Sequence, residues 1–166
     1  MESRSVLLAD AAATQALGQE LAALWLRQRT NCSAGQQPPI LLLQGTLGAG
    51  KTCLVQGIAA GLGIEEPITS PTFALAQHYQ GHLDDAGITA LVHLDLYRLD
   101  QPLAADELFA QEEEESLELD ALMAVEWSER LSVRPDGAWW ISLELINPDR
   151  PEEGRQAWLH LDSARR

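Results

Sequence analysis

The chain is almost without lysine. Among its 166 residues Lys51 stands alone, and the other ten cationic side chains are arginines. Against them stand 25 acidic side chains, for a formal net charge of −14 and a pI near 4.5. Nucleic-acid binding draws most of its affinity from a basic surface set against phosphates. This balance excludes a chain that grips DNA or RNA by itself, and any RNA in its biology is expected to be held by a partner protein. The missing second lysine also excludes the Asn-Lys-x-Asp pattern that reads guanine, which leaves adenine as the expected base. The two cysteines, Cys32 and Cys53, form no pattern, and a chain of this length buries a core without disulfides. Its apolar runs are only a few residues long, far short of the roughly 20 that span a bilayer. Met1 to Asp10 carries Glu2 and Asp10 and no apolar stretch of secretory length, so the cytoplasm is the expected location. No internal repeat or low-complexity linker divides the chain, and a single domain over residues 1–166 is expected.

What the chain does have surrounds that lysine. Gly45-Thr46-Leu47-Gly48-Ala49-Gly50-Lys51-Thr52 meets the phosphate-loop pattern G-x-x-x-x-G-K-[ST] at every fixed position. Glycines let backbone N–H groups turn inward around phosphate oxygens, and the helix that follows presents its positive end to them. In such a loop Lys51 reaches the β- and γ-phosphates and the Thr52 hydroxyl ligates magnesium. Lysine suits that place as a compact ammonium on a flexible stem, where the wide arginine fork fits a tight cradle less well.

The surrounding pattern supplies the context the motif needs. Residues 10–29 have Leu17, Leu21, Leu24 and Trp25 at helical spacing. A polar loop over 30–39 leads to Ile40–Leu43, an apolar run that fits a buried parallel strand, then the glycine-rich loop and a helix over 51–62. Further strands are expected over 73–79, 88–94 and 122–125, with a turn over 80–87 and an acidic stretch over 103–119 that is helical in pieces. Residues 138–146 and 156–161 suggest a final antiparallel hairpin around Asn147-Pro148. The fold class expected is α/β, a three-layer domain like the phosphate-loop NTPases, with a mostly parallel central sheet and antiparallel edge strands.

A phosphate loop needs an acid near its metal, at the C-terminal end of a neighbouring strand. Two apolar runs stop on a carboxylate, Leu91-Val92-His93-Leu94-Asp95 and Met123-Ala124-Val125-Glu126. One acid suits magnesium and the other the attacking water, and the residues alone leave the assignment open. Ser70-Pro71-Thr72-Phe73 occupies the interval where nucleotide hydrolases carry a switch threonine, although a Ser-Pro-Thr turn is also ordinary loop chemistry. His93 reads as structural, the tryptophans as core or surface anchors, and Glu112–Glu115 as a solvated helix face or a stretch awaiting a basic partner. Nothing in the spacing of Arg98, Arg130 and Arg134 selects an arginine finger.

Gly-Thr-Leu-Gly-Ala-Gly-Lys-Thr, Ser-Pro-Thr-Phe, His-Leu-Asp-Leu-Tyr-Arg-Leu (93–99) and Val-Glu-Trp (125–127), in that order and spacing, resemble the TsaE (YjeE) family. These are small bacterial ATPases of the tRNA threonylcarbamoyladenosine pathway. The resemblance implies binding of ATP, ADP and Mg2+ and slow ATP hydrolysis that resets a TsaB–TsaD complex between turnovers, with tRNA met only through those partners. It implies that Gly45, Thr46, Leu47, Gly48, Ala49, Gly50, Lys51 and Thr52 carry the phosphates and that Thr52 and Glu126 hold the metal. Thr72 would be the switch threonine, Asp95 the acid that activates water, and Ala11 part of a loosely matched adenine site. Two other functions fit the same loop. A small-molecule kinase would need an arginine-bearing lid, of which no compact cluster is seen, and a nucleotide-dependent interaction module would use the acidic 106–120 stretch against a basic partner.

Overall fold

A computed structural model describes residues 2–71 and 73–162. Thr72, with the switch role expected of it, lies outside the described residues. In chain order the elements are β1 (Glu2–Leu8), α1 (Ala11–Asn31), β2 (Leu41–Gln44), α2 (Lys51–Gly61), β3 (Ala76–Leu83), β4 (Gly87–Asp95), α3 (Pro102–Glu118), β5 (Leu122–Glu126), β6 (Trp139–Leu145) and β7 (Arg155–Leu161). The strands form one mixed sheet in the order β1-β7-β6-β2-β5-β4-β3. Its centre, β6-β2-β5-β4, is parallel. β3 closes one side antiparallel, and β7 and β1 close the other. The fold is therefore α/β with a parallel centre, and the antiparallel margin is broader than the sequence suggests.

Helices cover both faces, which is why the central strands read as unbroken apolar runs. Leu41, Leu43, Leu91, Leu122 and Ala124 pack with Leu17, Leu21 and Trp25 of α1 and with Leu54, Val55 and Ile58 of α2. The alternate residues Ile40, Leu42, Val92, Leu94, Met123 and Val125 form a second core, with Ala105, Leu108 and Phe109 of α3. Asp10 starts α1, its Oδ1 accepting from the Ala13 N–H at 2.8 Å, as an N-cap should. α1 and α2 cross with their backbones in contact. A Cβ built on Gly57 would lie 2.2 Å from the Gln15 carbonyl oxygen, and one on Gly18 would lie 2.4 Å from that of Leu54.

Three local expectations change. β1 was not anticipated, because an edge strand reading Glu-Ser-Arg-Ser-Val-Leu-Leu is apolar only in its last three residues, and its order comes from the ladder with β7. β3 begins at Ala76 rather than Phe73, since the backbone turns first: the Leu75 N–H donates to the Pro71 carbonyl and Leu75 has φ of 66°. The same strand runs on to Leu83 through the expected turn, because Gly81 lies against the Gly63 backbone, where a side chain would not fit. α3 is one continuous helix, and only Glu112 of its four consecutive acids is buried, where its Oε2 accepts from His78 Nε2 at 2.6 Å. Among the described residues no helix is long and apolar enough to cross a membrane.

Candidate functional site

The site forms where three parallel strands end together. β2 leads into the glycine-rich loop, and α2 begins at Lys51, with Gly50 at its N-cap position in the left-handed region (φ 104°) and no side chain capping it. Gly50 thus offers no side-chain acceptor to the first N–H groups of α2. β4 and β5 pair so that Asp95 stands opposite Glu126. The period of two along each strand turns His93, Asp95 and Glu126 to the face that carries Leu91, Ala124 and α2.

There the chemistry converges. Thr52 Oγ1 lies 3.2 and 3.3 Å from the two carboxylate oxygens of Glu126. His93, fully buried, places Nε2 at 2.5 Å from Glu126 Oε2, so the carboxylate is gripped on two sides. Asp95 has different partners: its Oδ1 accepts from the Tyr97 N–H at 2.9 Å and its Oδ2 from the Ser70 hydroxyl at 3.1 Å. Both acids are nearly buried, at 4% and 3% exposure for Asp95 and Glu126. Lys51 Nζ donates to the carbonyls of Gly45 and Thr46 at 2.5 and 3.0 Å and lies 4.5 Å from the centre of the Trp127 ring. Burial pulls the lysine pKa below its ordinary value, while Glu126, Glu129 and Asp95 oppose that shift.

The chain leaves β5 through Trp127, whose φ of 57° is uncommon for a bulky residue. That turn is held from both sides: the Ser128 hydroxyl donates to the Leu43 carbonyl at 3.3 Å, and the Leu96 N–H donates to the Glu126 carbonyl at 3.1 Å. It sets the indole against Lys51 and against Tyr97, 4.8 Å away between ring centres. Together these groups enclose a cavity of about 350 Å3, lined among others by Gly48, Lys51, Thr52, Asp95, Glu126 and Trp127. Among the described residues no three or more His, Cys, Asp or Glu side chains cluster as a metal cage. Magnesium needs none, because it is commonly held by one or two protein oxygens together with phosphates and waters.

Of the residues singled out in the sequence, Lys51, Thr52, Asp95 and Glu126 come together. Leu47, 65% exposed, also lines the cavity, and Ala49 is buried in the core. Ala11 does not line the cavity, but its carbonyl is 3.6 Å from the thiol of Cys53, which does. Of the three arginines considered, Arg98 lies over Phe73 and Arg134 over Trp140, whereas Arg130 stands behind the cavity wall, on the Tyr97 carbonyl and 5.9 Å from the Trp127 ring. Tyr97 and the grip of His93 on Glu126 were not read from the sequence. The signal for His93 was its place two residues before Asp95, on the same strand face.

Cys53 offers a probe of this cavity. Burial raises its thiol pKa above the ordinary value, with Arg155 pulling the other way. The thiolate is the reactive form, so alkylation of Cys53 is expected to stay slow at neutral pH and to need a more alkaline solution than an ordinary thiol does. If a nucleotide fills the cavity, ATP with magnesium will slow that labelling further, as peptide mass spectrometry can measure.

A family model described as "Threonylcarbamoyl adenosine biosynthesis protein TsaE" matches residues 8–156. Similar proteins named tRNA threonylcarbamoyladenosine biosynthesis protein TsaE occur in Nostoc (44% identical over 119 residues, 71% of this chain and 67% of the relative) and Synechocystis (42% over 138 residues, 80% and 75%). Another occurs in Treponema pallidum (39% over 112 residues, 67% and 76%). In three dimensions the chain is similar to the crystal structure of Bacillus subtilis YdiB, with a TM-score of 0.57 at 23% identity over 95% of this chain and 84% of the other.

Proposed function

The chain belongs to the TsaE family of tRNA threonylcarbamoyladenosine biosynthesis proteins, and from that membership and the site's geometry we propose that it is a magnesium-dependent ATPase on a phosphate-loop NTPase fold. Its slow hydrolysis resets a TsaB–TsaD complex between rounds of tRNA modification in the cytoplasm. The observation that carries the reading is the convergence of Lys51, Thr52 and Glu126 at the mouth of a glycine-rich loop, where three parallel strands end.

The residues fit the ligands chemically. A Cβ on Gly45 would lie 2.4 Å from the Leu143 carbonyl oxygen, so the loop passes where only glycine fits. Its concave side and the open N-terminus of α2 favour a phosphate chain. Lys51 provides the ammonium for the β- and γ-phosphates. Thr52 and Glu126 are the protein oxygens suited to Mg2+, which when bound neutralises charge that builds on the phosphates. Asp95, already oriented by Ser70 and Tyr97, is placed to take a proton from the attacking water. The water oxygen bonds to the γ-phosphorus as the bond to the bridging oxygen breaks, leaving ADP and inorganic phosphate. With a net charge of −14, the chain meets tRNA through its partners, and DNA is not a ligand.

The test is direct. Calorimetry of the purified chain should detect ATP binding that depends on magnesium, and Lys51→Ala should weaken it by at least about a hundredfold. Unaltered binding by that variant would remove the loop from the function. Addition of a TsaB–TsaD pair should raise release of phosphate into solution, whereas phosphate appearing on a metabolite would indicate a kinase.

A further inference from the structure

A second cation reaches the glycine-rich loop from outside the cavity. Arg155 is the first residue of β7, and its backbone pairs with Leu145 of β6 on one side and Leu8 of β1 on the other. Held by a ladder on each side, the base of this side chain has little freedom. Its Nη2 donates to the Gly48 carbonyl at 3.2 Å. Its stem lies against Gly50, where a Cβ would come 2.9 Å from Arg155 Nε and 3.2 Å from Cδ. Nε itself is buried and has no hydrogen-bond partner. A buried N–H left without a partner is costly, so the contacts to the loop must outweigh that cost.

The bond to Gly48 does not end there. The Gly48 carbonyl and the Ala49 N–H belong to one peptide unit, and that N–H donates to the Thr46 carbonyl at 3.1 Å. The Thr46 carbonyl in turn accepts from Lys51 Nζ at 3.0 Å. A charged donor on the carbonyl polarises the peptide and strengthens the bond its N–H makes. The chain from guanidinium to ammonium is therefore continuous: Arg155, the Gly48–Ala49 peptide, the Thr46 carbonyl, Lys51. Gly48 and Gly50 both lie in the left-handed region, at φ of 79° and 104°. Glycines in such a segment lose more freedom on ordering than any other residue, and an external tether reduces what remains to be lost when a ligand binds.

We propose that Arg155 is a positioning residue for the phosphate-binding loop: anchored in β7, it holds the Gly48–Ala49 peptide, and through Thr46 it sets where Lys51 waits for the phosphates of a nucleotide. The proposal rests on the reading of the site as a nucleotide site, and it gives the antiparallel β1-β7-β6 margin a task in binding. Arginine suits the task better than lysine, because its planar fork bonds the carbonyl while its stem lies along Gly50.

The experiment compares wild type, Arg155→Ala and Arg155→Lys by calorimetric ATP affinity with magnesium, thermal unfolding, and amide hydrogen exchange of residues 46–50 without nucleotide. Arg155→Ala should bind ATP about tenfold more weakly, with Arg155→Lys in between and all three melting within about 2 °C of one another. Exchange over 46–50 should be faster in Arg155→Ala. Equal affinity in wild type and Arg155→Ala overturns the proposal, as does a loss that only follows a fall in melting temperature. Failure of the wild type itself to bind ATP would count against the nucleotide reading instead. In that event unchanged exchange over 46–50 in Arg155→Ala still overturns the tether, and faster exchange supports it.

Discussion

Asp95→Ala should keep ATP affinity within about threefold of the parent while lowering partner-stimulated turnover by at least about a hundredfold, the size expected for loss of a positioned general base. The two carboxylates at the strand ends are neighbours with separate partners. Glu126 shares its oxygens with Thr52 and His93, whereas both oxygens of Asp95 are engaged by the Ser70–Tyr97 side of the cavity. Loss of Asp95 therefore leaves the Thr52–Glu126 pair intact. Asp95→Asn is the sharper variant, because its side-chain oxygen can still accept the Tyr97 N–H while the basic charge is gone. Glu126→Gln should show the opposite pattern, an ATP affinity that no longer responds to magnesium. Calorimetry with and without magnesium, beside single-turnover phosphate release with a TsaB–TsaD pair, separates the two roles. Normal turnover by Asp95→Ala would remove Asp95 from the chemistry, and loss of magnesium-dependent affinity in that variant would reverse the assignment.

The parts of the site that were legible in the sequence are those whose requirements are local. Gly45 to Thr52 could be read because a loop that turns its N–H groups inward needs glycine at fixed spacing ahead of a helix. The ends of β4 and β5 could be read because a strand buried on both faces carries no carboxylate until it leaves the sheet, so Asp95 and Glu126 stand out as the first acids. Long-range pairing accounts for what was missed. Nothing near Arg155 marks it as a neighbour of Gly48, since 107 positions separate them and their meeting depends on β7 lying two strands from β2. β1 was hidden for the same reason: residues 2–8 carry too little apolar signal, and β7 supplies their order. His93 showed its face but not its partner, because the carboxylate it grips belongs to another strand. Tertiary contact also overrode local chemistry at Gly81, a turn former in sequence that serves inside β3 as a place for the Gly63 backbone to approach.

Gly57→Val should be among the most damaging single changes outside the cavity, costing at least about 3 kcal/mol, the upper range for overpacking. For a chain of this length that is a fall in melting temperature of roughly 6–12 °C. The atoms a side chain would meet are backbone: a Cβ at 57 lies 2.2, 2.7 and 2.8 Å from O, Cα and C of Gln15. No rotamer change relieves a contact of that kind, so the helices must separate. Separation opens the core between them, where Leu17, Leu21, Leu54 and Ile58 pack with the central strands. It also reaches the site, because Thr52 stands at the start of the same helix, one and a half turns before the crossing, and must meet Glu126 at about 3.2 Å. A small tilt of α2 at Gly57 is enough to break that meeting. Gly57→Ala should therefore lose stability although alanine is the better helix former by about 1 kcal/mol, and it should weaken magnesium-dependent ATP binding as well. Ala60→Val, on the exposed side of the same helix, serves as the control and should stay within about 0.5 kcal/mol of the parent. Urea unfolding of the three variants beside ATP calorimetry checks both halves, and a stable Gly57→Ala with unchanged ATP affinity would show that the crossing does not hold the site.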